Sequence, residues 1–142
     1  MINRIIIDTN VLVSAFSSAE GSSRVVLRGV LTGRWQPLVS LPLFTEYEDV
    51  LGRTEVMERC PLPACKREEL LDAVLSRCQV IEVYFAWRPN LRDEDDNHVF
   101  ELAVAAQDAP LLTWNVRDFA SAELRFPKVR VRTPAQWLKE KL

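Results

Sequence analysis

The chain has 142 residues, of which 48% are hydrophobic and 27% are charged, and this predicts one globular domain spanning residues 1–142. The net charge of −2, from 18 basic and 20 acidic residues, argues against a strongly basic nucleic-acid-binding protein. No apolar run is as long as a membrane span, and the N-terminal run is too short for a signal peptide. We therefore expect a cytoplasmic protein without a membrane partner.

Five short segments rich in apolar and β-branched residues predict strands, and the amphipathic segments between them predict helices. The strands are predicted over residues 2–7, 37–40, 80–84, 110–113 and 128–132. The helices are predicted over residues 11–16, 22–33, 42–52, 66–77 and 93–108, and from residue 133 onwards. This alternation indicates an α/β fold, a three-layer sandwich around a central parallel sheet of four to five strands. Functional sites in such sheets lie beyond the carboxyl ends of the strands.

Residue usage excludes several kinds of site. The three cysteines lack the spacing of a zinc site, and a single histidine, His98, leaves no multi-histidine metal site. The four glycines form neither a dinucleotide-binding fingerprint nor a P-loop. We expect reduced cysteines in the core and a surface position for His98.

Three acidic residues occupy positions where the pattern predicts side chains that face inward. Asp8 directly follows the first apolar strand, at its carboxyl end. Glu46 lies between Leu43 and Val50 on the apolar stripe of its helix, at spacings of three and four residues. Asp96 stands in the first turn of a later helix, on the face that its apolar residues share. A single acid at such a position is usually a helix cap or a snorkelling side chain, but three together favour a site.

A cluster of inward-facing carboxylates repels itself unless a cation neutralises it. Basic residues at matching inward positions are not evident in the sequence. Ligation by oxygen atoms alone is typical of hard ions, which predicts Mg²⁺ or Mn²⁺. Asn115 and Asp118 follow the strand that ends at Thr113 and add oxygen donors near the same predicted edge.

Four segments, in this order, resemble the motifs of PIN-domain ribonucleases. They are Asp8-Thr9-Asn10-Val11-Leu12-Val13-Ser14-Ala15, Glu46-Tyr47-Glu48-Asp49-Val50-Leu51, Arg92-Asp93-Glu94-Asp95-Asp96-Asn97 and Leu112-Thr113-Trp114-Asn115-Val116-Arg117-Asp118-Phe119. Residues 133–138 resemble the closing segment of the VapC-like toxin branch. The resemblance implies a Rossmann-like PIN fold and a metal-dependent endoribonuclease, a hydrolase that cleaves RNA. It also implies a toxin held by an antitoxin protein, and a homodimer.

The resemblance also assigns roles to individual residues. Asp8, Glu46 and Asp96 match the three main metal-binding acids of the family. These acids would hold one or two Mg²⁺ or Mn²⁺ ions for phosphodiester hydrolysis. Asn115 stands where the family carries a fourth acid, so Asp118, about one helical turn further on, is the candidate to replace it. Four residues are expected to support these ligands: Thr9, Asn10, Asp93 and Thr113.

Four arginines near the motifs are candidates for contacts with RNA phosphates, with a solvated surface position as the alternative: Arg24, Arg88, Arg92 and Arg117. Trp87 and Trp114 are candidates for stacking on bases, with core or interface packing as the alternative.

Two other functions remain open from the sequence. The replacement of an acid by Asn115 motivates a weakened PIN module that binds RNA or an antitoxin without efficient cleavage. A phosphoacceptor receiver domain also carries an acid after its first strand. That domain needs an acidic pair and a late lysine, whereas Asp8 is single and Lys128 is poorly placed.

Overall fold

A computed structural model describes residues 3–18, 20–83, 97–106 and 108–141. Strands and helices alternate along most of the chain, as the sequence predicts. The strands are β1 (Asn3–Ile7), β2 (Trp35–Val39), β3 (Gln79–Val80), β4 (Leu111–Leu112) and β5 (Val131–Arg132). The helices are α1 (Thr9–Ser17), α2 (Ser22–Leu31), α3 (Leu41–Leu51), α4 (Ala64–Arg77), α5 (Asn97–Ala105), α6 (Ala120–Arg125) and α7 (Pro134–Glu140), with a 3₁₀ turn at Val116–Phe119.

The five strands form one parallel sheet in the order β3-β2-β1-β4-β5. The predicted α/β fold with a central parallel sheet is confirmed. Strand β1 is central, and the chain extends the sheet first to one side, through β2 and β3, and then to the other, through β4 and β5. The connections leaving β1 and β4 therefore diverge at the carboxyl edge, which opens a crevice between these two strands.

The central position of β1 explains its unbroken apolar sequence. Ile5, Ile6 and Ile7 are each at most 1% exposed, because elements cover both faces of the strand. On the α2 side, the Trp35 ring packs so close to Gly29 that a Cβ atom there would lie 2.0 Å from the indole. The indole Nε1 donates to the Val26 carbonyl at 2.9 Å, so the core satisfies its one polar group.

Three strands are shorter than predicted, and one helical region is missed. The strands β3, β4 and β5 each have two residues. At the β3 edge Val80 is 60% exposed, so tertiary packing does not extend the strand. The predicted strand 80–84 ends in Tyr84, outside the described residues. The stretch 116–125, for which the sequence predicts no helix or strand, forms the 3₁₀ turn and α6. The helix predicted over 93–108 is described from Asn97.

The cysteine prediction is correct only in part. All three cysteines are free thiols, but only Cys60 is buried, while Cys78 is half-buried and Cys65 is exposed. Among the described helices, none is long and apolar enough to cross a membrane.

Candidate active site

Asp8 lies at the carboxyl end of β1, in the crevice where the sheet connections diverge. Its backbone N–H donates to the Leu112 carbonyl at 2.9 Å and so continues the pairing of β1 with β4. Its side chain caps α1, because Oδ1 accepts the Thr9 N–H at 2.8 Å. Asp8 as a residue is only 6% exposed. The end of a buried strand and the start of a helix thus hold this acid in one orientation.

The residues that surround Asp8 come from α1 and from the end of β4. The Thr113 hydroxyl, which is fully buried, donates to Asp8 Oδ2 at 2.8 Å. Asn10 Nδ2 lies 3.2 Å from Thr113 Oγ1 and 3.4 Å from Asp8 Oδ2. The Asn115 N–H also donates to Thr113 Oγ1, at 3.1 Å. Thr113 and Asn10 therefore contact Asp8, while their role in supporting a metal ligand stays a prediction.

Glu46 reaches the same crevice from α3. Ser40 caps this helix, and the Tyr47 hydroxyl donates to the Ile7 carbonyl, which fixes α3 against the end of β1. The Thr9 hydroxyl donates to Glu46 Oε2. Thr9 therefore joins the two acids, since its N–H contacts one carboxylate and its hydroxyl contacts the other.

His98 is a site residue that the sequence reasoning missed. Its Nε2 lies 3.5 Å from Glu46 Oε1, and its side chain is 23% exposed, so the predicted surface position is wrong. Its Nδ1 is buried and has no hydrogen-bond partner among the described residues. Leu102 could have indicated this inward position, because it lies four residues further along the same face of α5 and is fully buried. The buried face of α5 is therefore wide enough to include His98.

Burial raises the pKa of Asp8 above the ordinary value of 3.8, because water no longer solvates the ionised form. Hydrogen bonds from Thr113 and Thr9 act in the opposite direction, and the negative charge of Glu46 adds to the rise. The net rise means that the surrounding residues do not fully compensate the Asp8 carboxylate.

The pKa of Glu46 shifts the other way. Its partial burial would raise the pKa, but hydrogen bonds from His98 and Thr9 and the nearby His98 and Arg53 charges outweigh it. The pKa of Glu46 therefore lies below the ordinary value of 4.5. The crevice therefore holds Glu46, whose ionised form the chain stabilises, and Asp8, whose ionised form it does not stabilise.

The donors present fit a hard cation, though the described residues supply an incomplete set. Asp8 and Glu46 offer carboxylate oxygens, each with lone pairs left over from its hydrogen bonds. No lysine or arginine in the described part of the chain lies within ion-pair distance of either acid. Within the same residues, no three Asp, Glu, His or Cys side chains form a group that could hold a metal ion. Asp96 and Asp93, the other acids predicted here, lie outside the described residues.

Asn115 and Asp118 lie beside the crevice, at the start of the 3₁₀ turn. Asn115 is exposed, and the Asp118 N–H donates to its carbonyl at 3.0 Å. Both residues line a cavity of about 350 Å³. No described hydrogen bond joins the Asp118 carboxylate to Asp8 or Glu46, so its role as a ligand stays a prediction. The complete lining is Trp114, Asn115, Val116, Arg117 and Asp118.

The candidate phosphate contacts are only partly described. Arg117 is exposed and lines the cavity, whereas Arg24 is half-buried and donates through Nε to the Ala15 carbonyl at 2.7 Å. Arg24 thus helps to end α1, and its contact with an RNA phosphate stays a prediction. Arg88 and Arg92 lie outside the described residues, as does Trp87.

Two comparisons with known proteins agree with this geometry. A family model described as the PIN domain matches residues 4–117. A chain in the crystal structure of VapBC2 from Rickettsia felis, bound to a DNA fragment from their promoter, has a similar fold. The TM-score is 0.59 and the sequence identity is 18%, over 92% of this chain and 98% of that one. No protein with a curated description matches the sequence. The family match confirms the predicted resemblance and excludes the receiver-domain alternative: the chain belongs to the PIN domain family.

Proposed function

We propose that this protein is a metal-dependent endoribonuclease that hydrolyses RNA phosphodiester bonds, with Mg²⁺ or Mn²⁺ as its cofactor. The family and the similar fold support a nuclease of the VapC-like toxin kind. We propose further that it acts in the cytoplasm as the toxin of a toxin–antitoxin pair and forms a homodimer.

One observation carries the catalytic proposal. Asp8 is a buried carboxylate at the crevice between β1 and β4, and Thr9 links it to a second carboxylate, Glu46. Burying the Asp8 acid beside the half-buried Glu46, with no described lysine or arginine within ion-pair distance, is unfavourable for a structural role alone. A divalent cation bound between them would offset this cost. It would also supply charge that activates a water and stabilises the phosphate during hydrolysis.

The chain's own residues then have distinct tasks. Asp8, Glu46 and Asp96 are the proposed ligands, with Asn115 or Asp118 as weaker oxygen donors. Hydrogen bonds from the Thr9 N–H and the Thr113 hydroxyl fix which lone pairs of Asp8 remain free.

Outer groups complete the proposed site. The Thr9 hydroxyl and His98 orient the Glu46 carboxylate, as partners of metal ligands commonly do. Arg117 and, by its position in the sequence, Arg92 are proposed to contact the RNA phosphates, and Asp93 is proposed to support the ligands.

The test is cleavage of a labelled RNA pool by the wild type and by the Asp8→Asn and Glu46→Gln variants, with Mn²⁺, with Mg²⁺ and with EDTA. We expect cleavage by the wild type that requires the divalent ion and is lost in both variants. Glu48→Gln is the matched control, because Glu48 is an exposed acid on the same helix. Equal cleavage by the wild type and Asp8→Asn would rule the assignment out.

A weakened module that binds without cutting is the second candidate, because Asn115 provides an amide where the family has a carboxylate. Calorimetric titration with Mn²⁺ separates the two. Metal binding without turnover on any RNA favours the weakened module, while metal binding with turnover favours the nuclease.

The partner proposal rests on the VapBC2 neighbour and needs its own experiment. Expression of the tagged chain together with the gene next to its own, followed by size-exclusion chromatography with light scattering, measures both the antitoxin complex and the homodimer. A monomer that never co-purifies with the neighbouring product contradicts this part alone.

A further inference from the structure

We infer that Trp114 is a stacking platform for one unpaired RNA base beside the acidic crevice, and that Arg117 contacts the backbone of the same nucleotide. The inference deepens the proposed function, on which it rests for the identity of the ligand as RNA. It assigns a base-binding subsite to the cavity at the start of the 3₁₀ turn.

The exposure of Trp114 is unusual for its residue type. Trp114 as a residue is 40% exposed, while Trp35 and Trp137 in the core are 4% and 1% exposed. The alternative of core packing is therefore wrong for Trp114. An exposed tryptophan gains less free energy from burial than a core tryptophan does. Burial alone therefore does not explain the position of the Trp114 indole.

The indole is nevertheless anchored. Its Nε1 donates to Ser23 Oγ at 2.9 Å, and Ser23 itself is only 3% exposed. The bond fixes one edge of the ring against α2 and leaves the residue 40% exposed. An aromatic group held at its polar edge loses little conformational entropy on binding, which suits a stacking surface.

The position of Trp114 connects it to the acidic residues. It directly follows Thr113, whose hydroxyl binds Asp8, and its backbone N–H donates to Asn10 Oδ1 at 3.1 Å. Asn10 in turn places its Nδ2 3.4 Å from Asp8 Oδ2. A nucleotide whose base lies on Trp114 is thereby held next to the proposed cleavage centre.

The cavity beside the indole provides a place for the rest of the nucleotide. Its volume is about 350 Å³, and the exposed Arg117 lines it. A guanidinium donates two parallel hydrogen bonds to a phosphate, and an indole face accepts any base. Stacking requires a base that is out of a double helix, so the ligand class is single-stranded RNA rather than a duplex.

The experiment measures binding separately from cleavage. A fluorescein-labelled, unstructured oligoribonucleotide is titrated with Asp8→Asn, which is expected not to cut it, and anisotropy gives the Kd. Adding Trp114→Ala to this protein should raise the Kd about 10-fold, whereas Trp114→Phe, which keeps an aromatic face, should change it less than about 3-fold. Ser23→Ala removes the same hydrogen bond that Trp114→Phe loses but keeps the whole indole face, so it should raise the Kd no more than Trp114→Phe does.

In the active protein, Trp114→Ala should raise KM for the same RNA and leave kcat within about 3-fold of the wild type. Leu124→Ala is the control, because Leu124 is 86% exposed on α6 and does not line the cavity. Circular dichroism confirms that each variant is folded.

The outcomes separate this inference from the proposed function. If the wild type cuts no RNA but the Kd depends on Trp114 as described, the nuclease proposal fails and the base subsite stands. If the wild type cuts RNA and the Kd is the same with Trp, Phe or Ala at position 114, the base subsite is overturned. Absence of RNA binding by every protein overturns it as well.

Discussion

The two ends of β1 carry charged residues that the fold treats in opposite ways. At the amino end, Arg4 Nη1 contacts both oxygens of Asp108 at 2.9 and 3.1 Å, and Arg130 donates to the Asp108 carbonyl at 3.3 Å. At the carboxyl end, the described residues give Asp8 hydrogen bonds but no ion pair with a lysine or arginine. One strand therefore begins among compensated charges and ends at an uncompensated acid.

This difference separates a charge that the chain itself neutralises from one that, under the proposed function, a metal ion would neutralise. The Arg4–Asp108 pair is complete within the chain and lies near the surface, where such pairs contribute little to stability. Asp8 is more deeply buried, and its pKa is raised by that burial. Five predictions, in order of decreasing effect, test whether the two ends differ in this way.

The largest effect is expected for Asp8→Asn. Removing a proposed ligand should lower kcat/KM for RNA cleavage by at least about 100-fold, since metal chemistry contributes several kcal/mol to the transition state. Asp108→Asn at the opposite end should leave kcat/KM unchanged. Comparable losses in the two variants would mean that the ends do not differ in function.

Glu46→Gln should lower kcat/KM by about 10- to 100-fold, the size found for groups that hold or orient metal ligands. Glu48→Gln, on the exposed face of the same helix, should behave as the wild type. The measurement is initial rates of cleavage with Mn²⁺ at several concentrations. If Glu46→Gln cleaved RNA in EDTA as fast as the wild type does with Mn²⁺, a metal-based role of Glu46 would be contradicted.

Mn²⁺ should stabilise the wild type by about 2.7 kcal/mol at a concentration near 100 times its Kd, because it binds only the folded site. This corresponds to a rise in Tm of roughly 5–10 °C for a chain of this size. The rise should persist in Asp108→Asn and disappear in Asp8→Asn, measured by scanning calorimetry. An equal rise in all three proteins would indicate binding elsewhere.

Without metal, the two acids of the crevice should affect stability with opposite signs. The raised pKa of Asp8 means that the contribution of this residue to stability is fully present below pH 3.8 and is lost as pH rises through its folded-state pKa. The lowered pKa of Glu46 means that its contribution is present above pH 4.5 and is lost as pH falls.

At neutral pH in EDTA we therefore expect a higher Tm for Asp8→Asn than for the wild type, and a lower Tm for Glu46→Gln. The Asp8→Asn difference should vanish as the pH falls below 3.8. A lower Tm for Asp8→Asn than for Glu46→Gln at neutral pH would contradict the assignment of the uncompensated charge.

The smallest effect is expected at the amino end. Asp108→Asn breaks an ion pair whose side chains are 33% and 61% exposed, so the free energy of unfolding should fall by less than about 1 kcal/mol. Urea denaturation measures this loss. A loss of several kcal/mol would show that this end, too, contains a charge on which the fold depends.

The fold was largely predictable because its signals are local. Three local features indicate an α/β fold with a parallel sheet: the isoleucine run before Asp8, the helix caps at Ser40 and Thr133, and the alternation of strands and helices. The lengths of β3, β4 and β5 were not predictable, since a strand ends where its pairing with a neighbouring strand stops. The stretch 116–125 lacks a strong apolar period, and it becomes helical only through packing such as the buried Phe119 and Ala122.

For the site, the sequence by itself determined the residue types and their order: Asp8 after a buried strand, Glu46 on an apolar stripe and Thr113 at the end of a later strand. The tertiary structure decided that Thr9 joins the two acids, that His98 faces Glu46 and that the Trp114 ring is held at its edge by Ser23. Apart from the bond between the neighbours Thr9 and Asp8, these contacts join residues that are 37 to 91 positions apart. Periodicity reports only the face of an element, whereas the partner across the crevice depends on how the elements pack.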